Sequence, residues 1–127
     1  MKYLLIMYVD HEMWEGLTAD QQLSAFQGDG DFDRLISETG ELVESKTLSD
    51  PITAKTVHVR DGVPSTIDSP VHKSDAFVCG YYVVDVTDEK RAVELAGLMP
   101  DAAHGAIEVR EVLHESGPVN AWSQWPV

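Results

Sequence analysis

The sequence predicts an α+β fold of the ferredoxin-like type, the type that forms dimeric α/β barrels, with an antiparallel sheet and two helices on one face. Two strand-then-helix patterns, one near each end of the chain, lead to this prediction. A hairpin pattern around Asp61-Gly62 lies between them, and a last strand-like run closes the chain. This order is that of a split β-α-β arrangement.

The composition indicates one acidic domain. The chain has 127 residues, with 22 acidic and 9 basic side chains and a net charge of −13. Such a charge repels phosphate groups, so we expect neither nucleic acid nor a membrane as a partner. The single cysteine, Cys79, excludes an internal disulfide and is compatible with a cytoplasmic location. We place the domain at residues 1–113 and a C-terminal tail at 114–127.

The first strand is predicted from Lys2 to Val9, because this run is short and almost entirely apolar. Thr18 and Gln21 have the spacing of a capping box, which predicts that a helix begins there. We expect Leu23 and Phe26 on the inner face of this helix.

Two glycines interrupt the helix pattern. Gly28 and Gly30 each cost about 1 kcal/mol relative to alanine in a helix interior, and the apolar spacing changes phase after them. We therefore expect either one kinked helix or two short helices, ending at Gly40 as the C-terminal glycine.

The middle of the chain is predicted to form strands and turns. Leu42 to Leu48 can form a short strand, and Ser49-Asp50-Pro51 a turn. Lys55 to Arg60 alternates in polarity, and Asp61-Gly62 favours a two-residue hairpin turn. The chain then returns from Val63 to Ile67.

The longest strand pattern follows a polar turn. Asp68 to Ala76 collects ionisable side chains around Ser69-Pro70, and Phe77 to Val86 is the run behind them. Gly80 within that run indicates a close approach of another backbone segment. We expect this strand to lie in the centre of the sheet.

A second helix and a last strand complete the domain. The helix opens at Thr87-Asp88-Glu89, where carboxylates suit the positive end of a helix, and Pro100 stops it. Its predicted apolar face consists of Ala92, Val93, Ala96 and Met99. Ala106 to Leu113 is the predicted closing strand.

Two surfaces are expected to be covered. Two helices on one sheet face leave the other face open, and a small domain of this kind usually covers such a face by forming a homodimer. The tail contains Trp122 and Trp125, whose large apolar surfaces are unfavourable in water. We predict that the tail docks on its own domain or on the partner subunit.

Five segments resemble the YCII-related, or DGPF-domain, family. They are Met1-Lys2-Tyr3-Leu4-Leu5-Ile6-Met7-Tyr8, Thr56-Val57-His58-Val59-Arg60-Asp61-Gly62, Asp68-Ser69-Pro70-Val71, Gly80-Tyr81-Tyr82-Val83-Val84-Asp85-Val86 and Ile107-Glu108-Val109-Arg110-Glu111-Val112. The resemblance covers about residues 1–112. It implies a dimeric ferredoxin-like fold, possible enzyme activity and a mostly undefined function; the occurrence of some relatives beside sigma factors suggests a regulatory role.

The chain departs from the family pattern at two places. The Asp-Gly-Pro-Phe signature has Ser69 and Val71 instead of glycine and phenylalanine. In a better-known branch of the family, a histidine on the first helix pairs with an aspartate at a proposed active site. The helix predicted from Ala19 to Thr39 contains no histidine, so that pair cannot be transferred to this sequence.

The polar turn is the first candidate for chemistry. Asp68, His72 and Asp75 lie within eight residues on one loop. A carboxylate beside an imidazole can orient it as a general base near neutral pH. The alternative is an ordinary turn, in which Asp68 caps its own backbone and His72 is solvated.

His104 is the second candidate, because its loop could bring it to Asp10 and His11 at the end of the first strand. No ligand spacing such as His-x-x-x-His occurs, and Asp29-Gly30-Asp31-Phe32-Asp33 fails as a calcium loop, since Arg34 and Gly40 replace its glycine and glutamate. We therefore predict no metal site and, without a nucleotide-binding motif, no cofactor.

Two functions remain open. One is a small-molecule enzyme, a lyase or isomerase, that uses His72 or His104 with Asp68 or Asp75. Its pocket between the sheets of a dimer would be lined by Tyr8, Trp14 and Tyr81, with Asp10 nearby. The other is a dimeric small-molecule-binding or regulatory module without catalysis. We favour the second, because the signature is altered and the histidine–aspartate pair of the relatives is missing.

Overall fold

The main sheet has four antiparallel strands. The computed structural model describes residues 1–116. Its elements in chain order are β1 (Lys2–Asp10), α1 (His11–Glu15), α2 (Ala19–Glu38), β2 (Leu42–Thr47), β3 (Thr56–Arg60), β4 (Val63–Ile67), β5 (Ala76–Asp85), α3 (Glu89–Leu98), α4 (Asp101–His104) and β6 (Gly105–Glu111). The strand order is β2-β5-β1-β6, which confirms the α+β, ferredoxin-like prediction.

Close packing of β5 against both neighbours depends on Gly80. A Cβ atom at this position would lie 2.5 Å from the backbone oxygen of Lys46 and 2.6 Å from Cε of Met7. This confirms the close approach that the glycine predicts within the strand. Next to it the register between β1 and β5 shifts, so that Met7 pairs with Gly80 and Tyr8 pairs with Val78.

The core lies between the sheet and the two long helices. In β1, Tyr3, Leu5 and Met7 are buried in strict alternation with partly exposed neighbours, because successive side chains of a strand point to opposite faces. Phe32 of α2 contacts Tyr82 edge-on, with ring centroids 5.2 Å apart. Each such fully buried side chain contributes roughly 1.5–3 kcal/mol relative to an exposed one.

Helix α2 is one continuous helix of 20 residues. Of the two predicted alternatives, one kinked helix or two short helices, the second is therefore wrong. The capping box is confirmed: Gln21 N donates to Oγ1 of Thr18 (3.1 Å), and Thr18 N donates to Oε1 of Gln21 (2.8 Å). Gly40 follows the end of the helix with φ of 78°, as a C-terminal glycine does.

The predicted inner face of α2 is wrong. Leu23 and Phe26 are 55% and 61% exposed, whereas Ala25, Phe32 and Ile36 are buried. These three residues are spaced by seven and four positions, which keeps them on one helical face across the glycines. The apolar residues after the glycines therefore determine how the helix is oriented.

Helix α3 begins where the sequence predicts. The side chain of Asp88 accepts a hydrogen bond from Arg91 N (2.9 Å) and caps the helix. Ala92, Ala96 and Met99 are buried as predicted, but Val93 is 53% exposed and Leu95 is buried in its place. Leu95 lies three positions after Ala92, on the same face of the helix.

The hairpin β3–β4 forms a separate two-stranded sheet. Asp61 and Gly62 both have positive φ, 51° and 75°, in agreement with the predicted two-residue turn. Thr56 is the buried residue of the hairpin, and its hydroxyl donates to the backbone oxygen of Ser69 (2.6 Å). This bond connects the hairpin to the turn that carries the altered signature.

The sequence pattern predicts neither of the short helices α1 and α4. Asp10 caps α1, because its Oδ1 accepts a hydrogen bond from Met13 N (3.0 Å). α4 follows Pro100 directly. Each helix is a turn or so long, too short for apolar periodicity to appear in the sequence.

The sheet face opposite the long helices carries a stripe of large side chains that we call the open face. By strand alternation it contains Leu4, Ile6, Tyr8, Val78, Tyr81 and Val83. Glu44 and Lys46 of β2 border it on one side, and Glu108 and Arg110 of β6 on the other. An apolar centre with a charged border is typical of a protein interface.

The residues that follow β6, including Glu115 at the start of the tail, lie beside β1. Val112 N donates to the backbone oxygen of Lys2 (2.9 Å), and Nζ of Lys2 forms an ion pair with Glu115 (2.9 Å). Trp122 and Trp125, on which the docking prediction rests, lie outside the described residues. Among residues 1–116, no helix is both long and apolar enough to cross a membrane.

Candidate functional site

A cavity of about 390 Å³ lies at the end of the sheet from which α1 emerges, on the side of the long helices. Its apolar lining residues are Met7, Val9, Trp14, Phe26, Phe77 and Cys79. Its polar lining residues are His11, Asp29, Thr47, Asp50 and Asp101. A concave, mostly apolar space with a few convergent polar groups is the usual form of a small-molecule site.

The aromatic wall of the cavity is built by the first two helices and β5. Trp14 of α1 contacts Phe26 of α2 edge-on, with ring centroids 5.5 Å apart. Phe77 lies on β5 opposite Val9 of β1. Phe26 is exposed because it faces this open cavity rather than the core.

Asp29 and Asp101 form a carboxyl pair in the cavity. Gly28 brings them together, because a Cβ atom there would lie 2.7 Å from Cγ of Pro100. A larger residue would hold α2 away from the residues that begin α4. From the sequence, the acidic residues around Asp29 predict only an acidic helix surface. The pair with Asp101 could not be predicted, because the two residues are far apart in the sequence.

Burial dominates the acid–base properties of the pair. It raises the pKa of Asp29 to about 7, with further contributions from the charge of Asp101, a hydrogen bond to Asp101 and the charge of Asp33. Burial also raises the pKa of Asp101, while His104 acts in the opposite direction. The interaction between the two carboxyl groups raises the pKa of Asp29 and lowers that of Asp101, so a proton bound by the pair is favoured on Asp29.

His11 stands between the cavity and a wider groove. Its ring packs against Phe77 with centroids 4.4 Å apart, and its Nε2 lies 3.9 Å from Oδ2 of Asp50. Its backbone N–H donates to the oxygen of Asp75 (3.0 Å), which ties α1 to the residues before β5. His11 and Phe77 line both spaces.

The groove holds two of the residues predicted for catalysis. It measures about 710 Å³, and His72 and Asp75 line it together with His11, Asp50 and Lys73. Asp68 does not join them: its Oδ1 accepts a hydrogen bond from Nζ of Lys55 (2.7 Å). This ion pair replaces the backbone cap that the alternative interpretation of the turn expects.

The remaining predicted residues are distributed over three places. His104 lies near Trp14 of α1, with ring centroids 6.5 Å apart. Tyr8 and Tyr81 lie on the open face, where the Tyr81 hydroxyl donates to Oε1 of Glu44 (3.2 Å). Trp14 therefore does not share their pocket, because the sheet separates it from them. Tyr8 also lines a space of about 460 Å³ together with His72, so these two predicted residues are brought together. Asp10 is a helix cap.

Metal binding has no geometric support in the part of the chain that is described. Within residues 1–116, no three His, Cys, Asp or Glu side chains are close enough to hold an ion together. His11, His72 and Asp75 share a groove without converging on one point.

Comparison with known proteins identifies a family. The model of the YCII-related domain matches residues 1–116, which is nearly the whole chain. The search of curated proteins found no match.

Proposed function

The chain belongs to the YCII-related domain family, and on that premise we propose that it is a dimeric small-molecule-binding module whose ligand occupies the cavity between Trp14 and the Asp29–Asp101 pair. The observation that supports this most directly is the cavity itself: about 390 Å³ of mostly apolar space with two carboxyl groups at one wall. Asp29 and Asp101 are only partly exposed, and carboxyl groups whose pKa is raised by burial and by a neighbouring carboxyl concentrate at functional sites.

Dimerisation is the second part of the proposal. The open face leaves Leu4, Ile6 and Val83 partly exposed in the single chain. The charged border supports pairing of two copies, because acidic Glu44 and Glu108 alternate with basic Lys46 and Arg110. A two-fold axis can place opposite charges against each other across such a surface. A cytoplasmic location remains a prediction.

Cys79 provides a direct test of the cavity, since it is the single cysteine of the chain and lines this space. Burial raises the pKa of its thiol to about 11, so its reaction should be slower than that of a free thiol. Methyl methanethiosulfonate, a small neutral reagent, should nevertheless modify it in the folded protein, and ligands found by thermal-shift screening should protect it. A Cys79 that reacts only after unfolding would contradict the proposal.

Acid–base catalysis is the second candidate function, and the pKa of about 7 at Asp29 favours it. A lyase or isomerase needs a group that accepts and returns a proton near neutral pH. A bound carbonyl compound would then exchange its α-hydrogens in D₂O. Asp29→Asn should abolish this exchange while binding persists; His72→Asn tests the groove in the same way. If the wild type exchanged the α-hydrogens of no bound compound, the catalytic function would be rejected and the binding function would remain.

A further inference from the structure

We propose, on the basis of the binding function proposed above, that the cavity selects a small organic cation, a primary amine carried by an aromatic or aliphatic group. The lining places Asp29, Asp50 and Asp101 around an aromatic wall. None of the described lining residues is a lysine or an arginine. The cavity is therefore negative on one side and apolar on the other, which suits an amphipathic cation.

The aromatic rings support the same assignment. Trp14, Phe26 and Phe77 contribute three π systems to the cavity. The face of an aromatic ring carries partial negative charge, and an ammonium group within about 6 Å of a ring centroid is attracted to it. An anionic ligand would face both these rings and the carboxylates and would be repelled.

The carboxyl pair lacks the basic partner that another carboxylate of this chain has. Glu41 accepts two hydrogen bonds from the guanidinium of Arg91, at 2.9 Å and 2.8 Å. Within residues 1–116 we find no lysine or arginine in an ion pair with Asp29 or Asp101. A primary ammonium has three N–H donors, so it can bridge both carboxylates and take the place of the proton they share.

The charge that such a ligand meets depends on pH. Besides the pair itself, the ionisable groups that face it or influence it are Asp33 on α2, His104 on α4, His11 on α1, Asp50 before the single turn at Pro51–Thr53, and Cys79 and Tyr82 on β5. Binding of a cation favours the ionised pair and releases a proton. Affinity should therefore increase as the pH rises through 7.

Three thiol reagents of different charge, of which the two charged ones are similar in size and the neutral one is smaller, measure the charge preference without knowledge of the natural ligand. They are 2-aminoethyl methanethiosulfonate, which is cationic, the neutral methyl compound and the anionic 2-sulfonatoethyl compound. Each forms a mixed disulfide with Cys79 and releases methanesulfinate. The rate for the folded protein at pH 8, divided by the rate for the same chain unfolded in urea, removes the intrinsic reactivity of each reagent.

We expect the normalised rate of the cationic reagent to exceed that of the neutral one by about tenfold, and the anionic reagent to be slowest, because the charges of Asp29 and Asp101 act on Cys79 in a space less polar than water. The preference should decrease at pH 6, where the pair retains its proton. Equal normalised rates for the three reagents, with the neutral one reactive, would overturn the cation preference and leave the binding function intact. A neutral reagent that cannot reach Cys79 would overturn both.

Two variants test whether Asp29 causes the preference for the cationic reagent. Asp29→Asn should reduce the cation preference severalfold, and Asp31→Asn should leave it unchanged. The latter removes the same charge from an exposed position two residues away, where the side chain is 75% exposed. Phenethylamine should protect Cys79 from the neutral reagent better than 2-phenylethanol, which has the same ring without the charge. An equal reduction by both variants, or equal protection by both compounds, would contradict the assignment.

Discussion

The raised pKa of Asp29 makes the free energy of unfolding depend on pH. Its pKa is about 7 in the folded chain and about 3.9 in an unfolded one. The folded state therefore keeps a proton that the unfolded state loses, and the free energy of unfolding falls as the pH rises from about 4 to about 7. Asp29→Asn should remove this loss and be more stable than the wild type at pH 8, by on the order of 2 kcal/mol after allowance for partial exposure.

Urea denaturation at pH 5 and pH 8 measures this effect. Asp31→Asn is the matched control, because Asp31 lies on the same helix and only approaches Arg34 at 3.8 Å. The control should keep the pH dependence of the wild type. An Asp29→Asn variant with that same dependence would show that the carboxyl pair does not share a proton.

The role of Asp29 could not be predicted from the sequence. Asp29 belongs to a run of acidic residues that predicts a solvated surface, and most of that run is solvated: Asp31 and Asp33 are exposed. What distinguishes Asp29 from these neighbours is its interaction with Asp101, some 70 positions away. The one local sign was a glycine inside a helix, which frequently marks a close approach of another segment.

Asp10 has a structural use that its position in the sequence does not reveal. It is predicted as a ligand contact, and the structure makes it the cap of α1. Asp10→Ala should therefore destabilise α1 by about 1 kcal/mol, displace Trp14 and speed the reaction of Cys79 with the neutral reagent. Asp10→Ser retains a capping oxygen and should behave like the wild type. Equal rates for the two variants would argue against the capping role.

At the scale of elements, the contact between α2 and the start of α4 depends on one missing side chain. Helix propensity predicts that Gly28→Ala and Gly30→Ala both stabilise the protein, by up to about 1 kcal/mol. A Cβ atom at residue 28 would lie 2.7 Å from Cγ of Pro100, whereas one at residue 30 would have no neighbour within 4 Å. We expect Gly30→Ala to stabilise the fold and Gly28→Ala to destabilise it.

The difference between the two alanine variants should be about 1–3 kcal/mol, the usual cost of overpacking, and chemical denaturation measures it. Gly28→Ala should also alter the rate at which Cys79 reacts, because α2 carries Phe26 and Asp29 into the cavity. Equal stabilisation by both substitutions would mean that α2 and Pro100 are not in close contact.

Elements with a long regular pattern could be predicted, and those held by distant contacts could not. β1 is recognisable from its apolar run, and α2 from the Thr18 capping box. The orientation of α2 is not recognisable from the sequence, because Leu23 and Phe26 are as apolar as the residues that are buried. Helix α1 depends on one cap and on the bond from His11 N to Asp75 O. It supplies Trp14 and His11, so the part of the fold hardest to predict builds much of the site.

At the scale of the whole molecule, the two faces of the sheet have different uses. One holds the core and the cavity, and the other displays Leu4, Ile6, Tyr8, Tyr81 and Val83. The net charge of −13 opposes association in general. A dimer would therefore need the specific apolar and charge-paired contacts that the open face offers.

Ile6 lies near the centre of the open face, opposite Tyr81 on β5 and Glu108 on β6. Ile6→Glu should convert the proposed dimer to monomers, because two-fold symmetry would bury the new charge twice, each time beside Glu108, at a cost of several kcal/mol. Val93→Glu adds the same charge at a 53% exposed position of α3, away from the sheet, and should remain dimeric. Sedimentation equilibrium separates these outcomes, and circular dichroism confirms that both variants are folded. A wild-type monomer at micromolar concentration, or a dimer that tolerates Ile6→Glu as well as Val93→Glu, would show that the open face is not the interface.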